Sequence, residues 1–377
     1  MSTPYIIFSR KNCSALRPCI IENYGLIRYE LPFINALCVE VPDEKISNIK
    51  RHQRVAMVAR DGSVTKLPCT LRGPVLSAKE LSGYIPPSKK HSNRNSQGIF
   101  STLMENQGFG TTIAIIDTGV APHYDLVKPY NRIIAFKDFL NDRPLPYDDD
   151  GHGTHVAGIA AGNAYASGRS FFPCGTAPMA NIAALKALDE NGSGTTSDIL
   201  AAMQWVADNK EKYNIRVVNL SLGIKADSES IIDPLVIGTA ALIARGISVV
   251  TAAGNSGPDP FTITSPGTNP LVITVGSCDK QKIPDFSSRG PTYAGVHKPD
   301  MVAPGVDIIS LDAKSCKKYI KQSGTSMSCP YVSGAAACLY SEHPSLTPRQ
   351  VKSLLIKMLT PLPGLSRDSQ GRGALYL

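Results

Sequence analysis

The sequence predicts an α/β fold for its larger part, a doubly wound and mostly parallel sheet, preceded by a small α+β domain. Three observations carry that prediction. From about residue 108 onward, short apolar runs alternate with helical stretches, the order that lays strands side by side in parallel. The runs are continuous and not alternating, as strands covered on both faces require. The charge is also divided: residues 1–100 hold 15 basic and 7 acidic side chains, while residues 101–377 hold 24 of each. The whole net charge of +8 therefore lies in the N-terminal quarter. A length of 377 residues accommodates two such units, since domains usually run to about 100–200 residues.

In the first unit, Tyr5 to Phe8, Ile34 to Val41 and Val55 to Ala59 read as strands. A helix is expected from Pro42 to Lys50, with proline and acids in its first turn, where free N–H groups favour them. From Asp61 to Ser96 the chain turns to glycine, proline and a basic polar run at Ser88 to Ser96, read as loop and solvated linker. The expected division is 1–66, a linker at 67–107, and 108–377. Within the last part the expected strands are Thr112–Asp117, Ile133–Phe136, Asn181–Leu188, Val217–Leu222, Ser248–Ala252 and Leu271–Val275. Helices are expected at Ser197–Asn209, Pro234–Ala244, Ser326–His343 and Pro348–Leu359, with Ser, Thr or Pro at their starts.

Composition excludes several classes. No run of about 18 uncharged apolar residues occurs, so a membrane span is not expected. A nucleic-acid partner is not expected either, because the basic excess is confined to the linker-bearing quarter. Nine cysteines, an odd number without a CxxC pair, fit reduced thiols in a cytosol better than disulfides or zinc. The start Met1 to Tyr5 lacks the pattern of a signal peptide, so a cytoplasmic location is expected; export by another route stays open.

Open parallel sheets place their sites at the carboxyl ends of the strands. Asp117 stands where the run Ile115-Ile116 ends. His152 lies in Asp150-Gly151-His152-Gly153-Thr154-His155, in or just before the first turn of a helix. Asn255 follows Ala252-Ala253-Gly254 at another strand end. Ser326 lies in Gly324-Thr325-Ser326-Met327-Ser328-Cys329, ahead of a helix rich in small residues. A serine at a helix N-terminus meets N–H groups and a dipole that favour developing negative charge. Together these residues supply a serine-nucleophile acyl-transfer site. Ser326 would attack, His152 would carry the proton, and Asp117 would hold the imidazole. The Asn255 amide and the Ser326 N–H would bind the oxyanion.

The order Asp, His, Ser and the phrases DTGV, HGTHVAG, AAGNSG and GTSMSCP resemble the subtilase family of subtilisin-like serine proteases. The acidic lead-in before His152 and Ser287-Ser288-Arg289-Gly290-Pro291 are most similar to its intracellular AprX-like branch. The resemblance implies a serine endopeptidase acting on polypeptides. It also implies a cleft in which Ser193 and Gly194 on one side, and Ser221, Leu222 and Gly223 on the other, pair with an extended peptide. Ala252, Ala253, Gly254 and the stretch Thr264 to Gly267 would line the pocket before the scissile bond. That stretch has no charged residue, so an apolar preference is expected.

By the same resemblance, residues 1–66 are similar to a propeptide that assists folding and then blocks the cleft, with processing between Asp61 and Ser96. A permanent recruiting domain is the alternative reading of that unit. A catalytically silent binding or regulatory protein is the alternative for the whole chain. No cofactor is needed for the chemistry. The family's calcium loop would fall at Asn163 to Cys174, which is poor in oxygen ligands and contains Arg169; structural calcium is possible but unsupported there. Asp148, Asp149 and Asp150 are expected to form a solvated acidic turn, with a calcium loop as the alternative, His155 to be a structural helix residue, and Cys329 to be a buried hydrophobe or, alternatively, a reactive thiol.

Overall fold

The computed structural model describes residues 2–71, 73–83, 105–168, 173–226 and 233–377. The basic run at 88–96, most of the expected linker and part of the calcium-loop stretch lie outside these residues.

Seven strands form the central sheet, in the order Met301–Pro304, Ile273–Cys278, Ser248–Ala252, Ile215–Leu220, Thr112–Asp117, Asn181–Lys186 and Ile133–Asp138. Every neighbouring pair in it is parallel. Successive side chains of a strand point to opposite faces, and the two faces are covered by two different cores. Ile113 and Ile115 enter a core with the helices His152–Ala161, Thr325–Glu342 and Pro348–Lys357. Ala114 and Ile116 enter the other, with Thr196–Tyr213 and Pro234–Ala244. This is the doubly wound arrangement that the continuous apolar runs require. Ala335, Ala336 and Ala337 are fully buried, and their small side chains let helix Thr325–Glu342 lie close on the sheet. No helix among the described residues is long and apolar enough to cross a membrane.

The N-terminal unit is a four-stranded antiparallel sheet, in the order Leu26–Leu31, Ala36–Pro42, Ser2–Ser9 and Val55–Arg60. One face buries Ile7, Leu37 and Ile49 in a core of its own. Ile6, Phe8, Leu31 and Phe33 instead join Leu200 and Met203 of helix Thr196–Tyr213 in the second core of the large sheet. Polar contacts hold the same seam. Arg28 Nη2 and Tyr29 Oη donate to Asp198 Oδ1 at 2.8 and 2.9 Å, and the Phe33 N–H donates to Gln204 Oε1 at 2.9 Å. Asp198 Oδ2 also accepts from the Thr195 N–H at 3.3 Å, in the capping box that starts this helix, and from Thr195 Oγ1 at 2.6 Å, so the docking contact is built on a cap.

Two expectations for this region are corrected. The helix expected from Pro42 begins at Ile46, because Pro42 closes the strand Ala36–Pro42 opposite Ser2. The stretch from Asp61, expected to be loop, contains the strands Ser63–Lys66 and Thr70–Leu71 and a short 3-10 turn at Glu80–Gly83. Their partners are remote. Ser63–Lys66 lies antiparallel between Ser193–Thr195 and Leu222–Gly223, and Thr70–Leu71 pairs with Gln322 and Ser323. The large part also has strands that the apolar runs do not mark: Met301–Pro304, Ile308–Leu311 and Tyr319–Ser323.

Candidate active site

Asp117 is the last residue of a fully buried strand and is itself buried. Its Oδ1 accepts the Thr118 N–H at 2.8 Å and bonds His152 Nδ1 at 2.7 Å. His152 is the first residue of helix His152–Ala161, and its N–H donates to Asp150 Oδ1 at 3.0 Å. Gly153 follows because its backbone runs against Gly119 O and the side of Asp117, where a Cβ would collide. The short Asp117–His152 bond thus depends on a glycine beside it.

Burial opposes the charged form of His152, but the Asp117 carboxylate, with Cys69 alongside, outweighs it and holds the imidazole well above the ordinary histidine value. Asp117→Asn is therefore expected to lower the His152 pKa, because burial would then be opposed by Cys69 without the carboxylate. An NMR titration of the imidazole protons measures this. An unchanged value would mean that Asp117 is not the group that holds the charge.

Ser326 is the second residue of helix Thr325–Glu342 and is buried. Its Oγ donates to Ser221 O at 3.2 Å and makes no bond to His152 Nε2. Ser221 Oγ in turn donates to Ser326 O at 3.0 Å, and Asn219 Nδ2 donates to Ser221 Oγ at 3.0 Å. Asn255 lies three residues beyond strand Ser248–Ala252. Thr325 fixes its amide: Thr325 N–H and Oγ1 donate to Asn255 Oδ1 at 2.9 and 2.8 Å. The Asn255 Nδ2 is thereby turned outward, and it donates to Pro68 O at 2.7 Å. The structure thus brings Asp117, His152, Ser326 and Asn255 around one point at the carboxyl edge of the sheet. The hydroxyl must rotate from Ser221 O to meet the imidazole.

The groove leading to that point is already filled. Ser63–Lys66 is the middle strand of a three-stranded antiparallel sheet: Val64 lies opposite Gly194, and Thr65 opposite Ser193 and Gly223. Lys66 lies opposite Leu222, and its N–H donates to Gly192 O at 2.7 Å. The chain then runs through the buried Leu67 to Pro68 and Cys69. Gly254, with Ala252 and Ala253 before it, packs on Thr264 and Ser288 behind Asn255. Residues 63–69 are the part of the site that composition alone misses. Their only local signal is the alternation Ser63-Val64-Thr65.

The acidic lead-in is corrected as well. Asp148 is not solvated: it accepts from Thr118 Oγ1 (2.9 Å), Gly151 N–H (2.8 Å), Thr154 N–H (2.8 Å) and Thr154 Oγ1 (2.6 Å). Burial raises its pKa while those four donors pull the other way. Asp149 Oδ1 accepts from the buried Lys186 Nζ at 2.6 Å, and Asp150 pairs with Lys66. His155 Nε2 faces Ile308 O and Ile320 O, both at 3.2 Å, and burial pushes its pKa down to about 3, so it is a neutral structural residue. Cys329 is buried against Asn219 Oδ1 (3.2 Å), and burial drives its thiol upward, away from reactivity. Among the described residues no cluster of His, Cys, Asp or Glu is arranged to hold a metal ion.

The sequence signature described as the subtilase family matches residues 108–373. The chain is 44% identical over 276 residues to Serine protease AprX of Bacillus subtilis, an alignment covering 66% of this chain and 61% of that protein. It is 35% identical over 356 residues to Subtilisin-like protease 3 of Pseudogymnoascus destructans, covering 91% and 80%. It is 35% identical over 256 residues to Subtilisin Savinase of Lederbergia lenta, covering 68% and 85%. The chain thus spans about three fifths of the length of AprX.

Proposed function

The chain belongs to the subtilase family of serine endopeptidases, and from that premise we propose that it hydrolyses polypeptides through an acyl-enzyme on Ser326. The 2.7 Å bond between Asp117 Oδ1 and His152 Nδ1 carries this reading, because in the neutral imidazole it keeps the proton on Nδ1, so that Nε2 is the atom that accepts one, and it then stabilises the imidazolium that forms. Ser326 Oγ, released from Ser221 O, attacks the scissile carbonyl and passes its proton to His152. The Asn255 Nδ2 and the N–H groups at the start of the Ser326 helix stabilise the oxyanion. The imidazolium, held by Asp117, then returns the proton to the leaving amine. Water repeats the sequence on the acyl-enzyme.

Residues 1–66, with the strand that fills the groove, act as an inhibitory propeptide. In support, the chain's own Pro68 carbonyl sits on Asn255 Nδ2, where a substrate oxygen would bind. The alignment with Subtilisin-like protease 3 also reaches across 91% of the chain, into this unit. Ser193, Gly194, Ser221, Leu222 and Gly223 hold extended peptides through main-chain bonds, and Ala252, Ala253 and Gly254 wall a pocket for an apolar side chain. The uncharged character of that wall supports the apolar preference.

Labelling with a serine-directed phosphonate, run beside casein hydrolysis and a peptide library, tests the proposal. Labelling and cleavage after apolar residues are expected. Labelling without peptide cleavage would sink the endopeptidase reading, and cleavage dominated by Arg or Asp before the scissile bond would sink the apolar one.

A further inference from the structure

The side chain of Lys66 marks a charged subsite in the groove. Lys66 belongs to the strand that occupies the place of an extended substrate, with its N–H on Gly192 O and its backbone opposite Leu222. Its aliphatic stem runs over Gly192, which has a φ of +74°; a Cβ there would collide with the Lys66 Cγ, Cδ and Cε atoms. At the end of the stem Lys66 Nζ pairs with Asp150 Oδ2.

The other two acids of the Asp148–Asp149–Asp150 run are committed elsewhere. Asp148 is consumed by Thr118, Gly151 and Thr154, and Asp149 by Lys186. Asp150 alone of the three turns an oxygen to the groove, while its other oxygen holds the His152 N–H at 3.0 Å. Its side chain is only 10% exposed with Lys66 in place, so the pair is partly shielded from water.

We propose that Asp150 and the bare floor at Gly192 select a lysine or arginine in the substrate residue that replaces Lys66, one step before the residue that replaces the buried Leu67. This rests on the endopeptidase reading above and adds a basic determinant to it. A charge-assisted hydrogen bond over a glycine floor favours a long basic side chain over an equally long apolar one.

The test uses fluorogenic peptides in pairs that differ only in lysine against norleucine, placed in turn at each of the three positions before the scissile bond. At low salt, kcat/KM is expected to favour lysine about tenfold at one of the three positions. The ratio should shrink as ionic strength rises and fall near one in Asp150→Asn. Because each ratio is taken within one protein sample, partial misfolding of the variant does not alter it, and the salt series needs no variant. Cleavage with no lysine preference at any position, or with the preference intact in Asp150→Asn, overturns this proposal alone. Absence of cleavage of every peptide overturns the endopeptidase reading and this proposal with it.

Discussion

Ser326→Ala is expected to abolish peptide hydrolysis, with kcat lower by about 10⁶, the scale found when a nucleophile is removed from subtilisin. That factor corresponds to about 8 kcal/mol of barrier. The fold should survive, since the change removes one oxygen from a buried site, and the hydroxyl's partner, Ser221 O, lies between the strands Ile215–Leu220 and Leu222–Gly223, whose pairing does not involve Ser326. Asn255→Ala separates the roles further. Its Nδ2 takes no part in the proton transfers and would only stabilise the developing charge, so the expected loss is smaller, about 10²–10³ in kcat, the range established for this donor in the family. Steady-state kinetics with circular dichroism on both variants decides the matter. A Ser326→Ala protein that still cleaves at a tenth of the wild-type rate would remove Ser326 from the chemistry. An Asn255→Ala protein with unchanged kcat would remove Asn255 from the oxyanion site. The two losses should not add in the double variant, because without a nucleophile no oxyanion forms for Asn255 to hold.

The parts of the site that are legible in the sequence are those whose position is set by local chemistry. Asp117 can be located because the four apolar residues Ile113 to Ile116 before it make a buried strand, and a carboxylate where such a strand ends faces the site edge. Ser326 can be located because Gly324 and a run of small residues mark a helix start packed closely on the sheet. Asp148 and Lys66 are different. Asp148 sits in a run of three acids, which looks solvated in isolation, and only the folded turn delivers four donors to it. Ser63–Lys66 has only the short alternation Ser63-Val64-Thr65 to mark it as a strand, flanked as it is by Gly62 and by Leu67-Pro68. Its N–H and C=O groups find partners only on Ser193–Thr195 and Leu222–Gly223, more than a hundred residues away. Where pairing is wholly non-local, composition reads as loop.

That same non-local strand yields the other large effect. The uncut 377-residue chain, with residues 63–69 seated in the groove, should hydrolyse substrate only after this segment leaves, so its progress curves should begin with a lag. Lys66→Pro is expected to shorten the lag and raise the initial rate. Proline removes the N–H that reaches Gly192 O at 2.7 Å and the ammonium that pairs with Asp150. Two lost polar contacts, each worth about 1 kcal/mol in net terms, should open the groove roughly 10–100-fold more often. The docked sheet is untouched by the change: Arg28 and Tyr29 still hold Asp198, and Phe33 still reaches Gln204. The variant therefore loosens the blocking strand without detaching the unit that carries it. Initial rates measured within seconds of mixing, with mass spectra of the same samples, separate opening of the groove from cleavage of the chain. A faster start in the uncut variant is the expected result. Equal initial rates in uncut wild type and uncut Lys66→Pro would show that the strand does not bar the substrate, and the unit at 1–66 would then have to be read as a permanent domain.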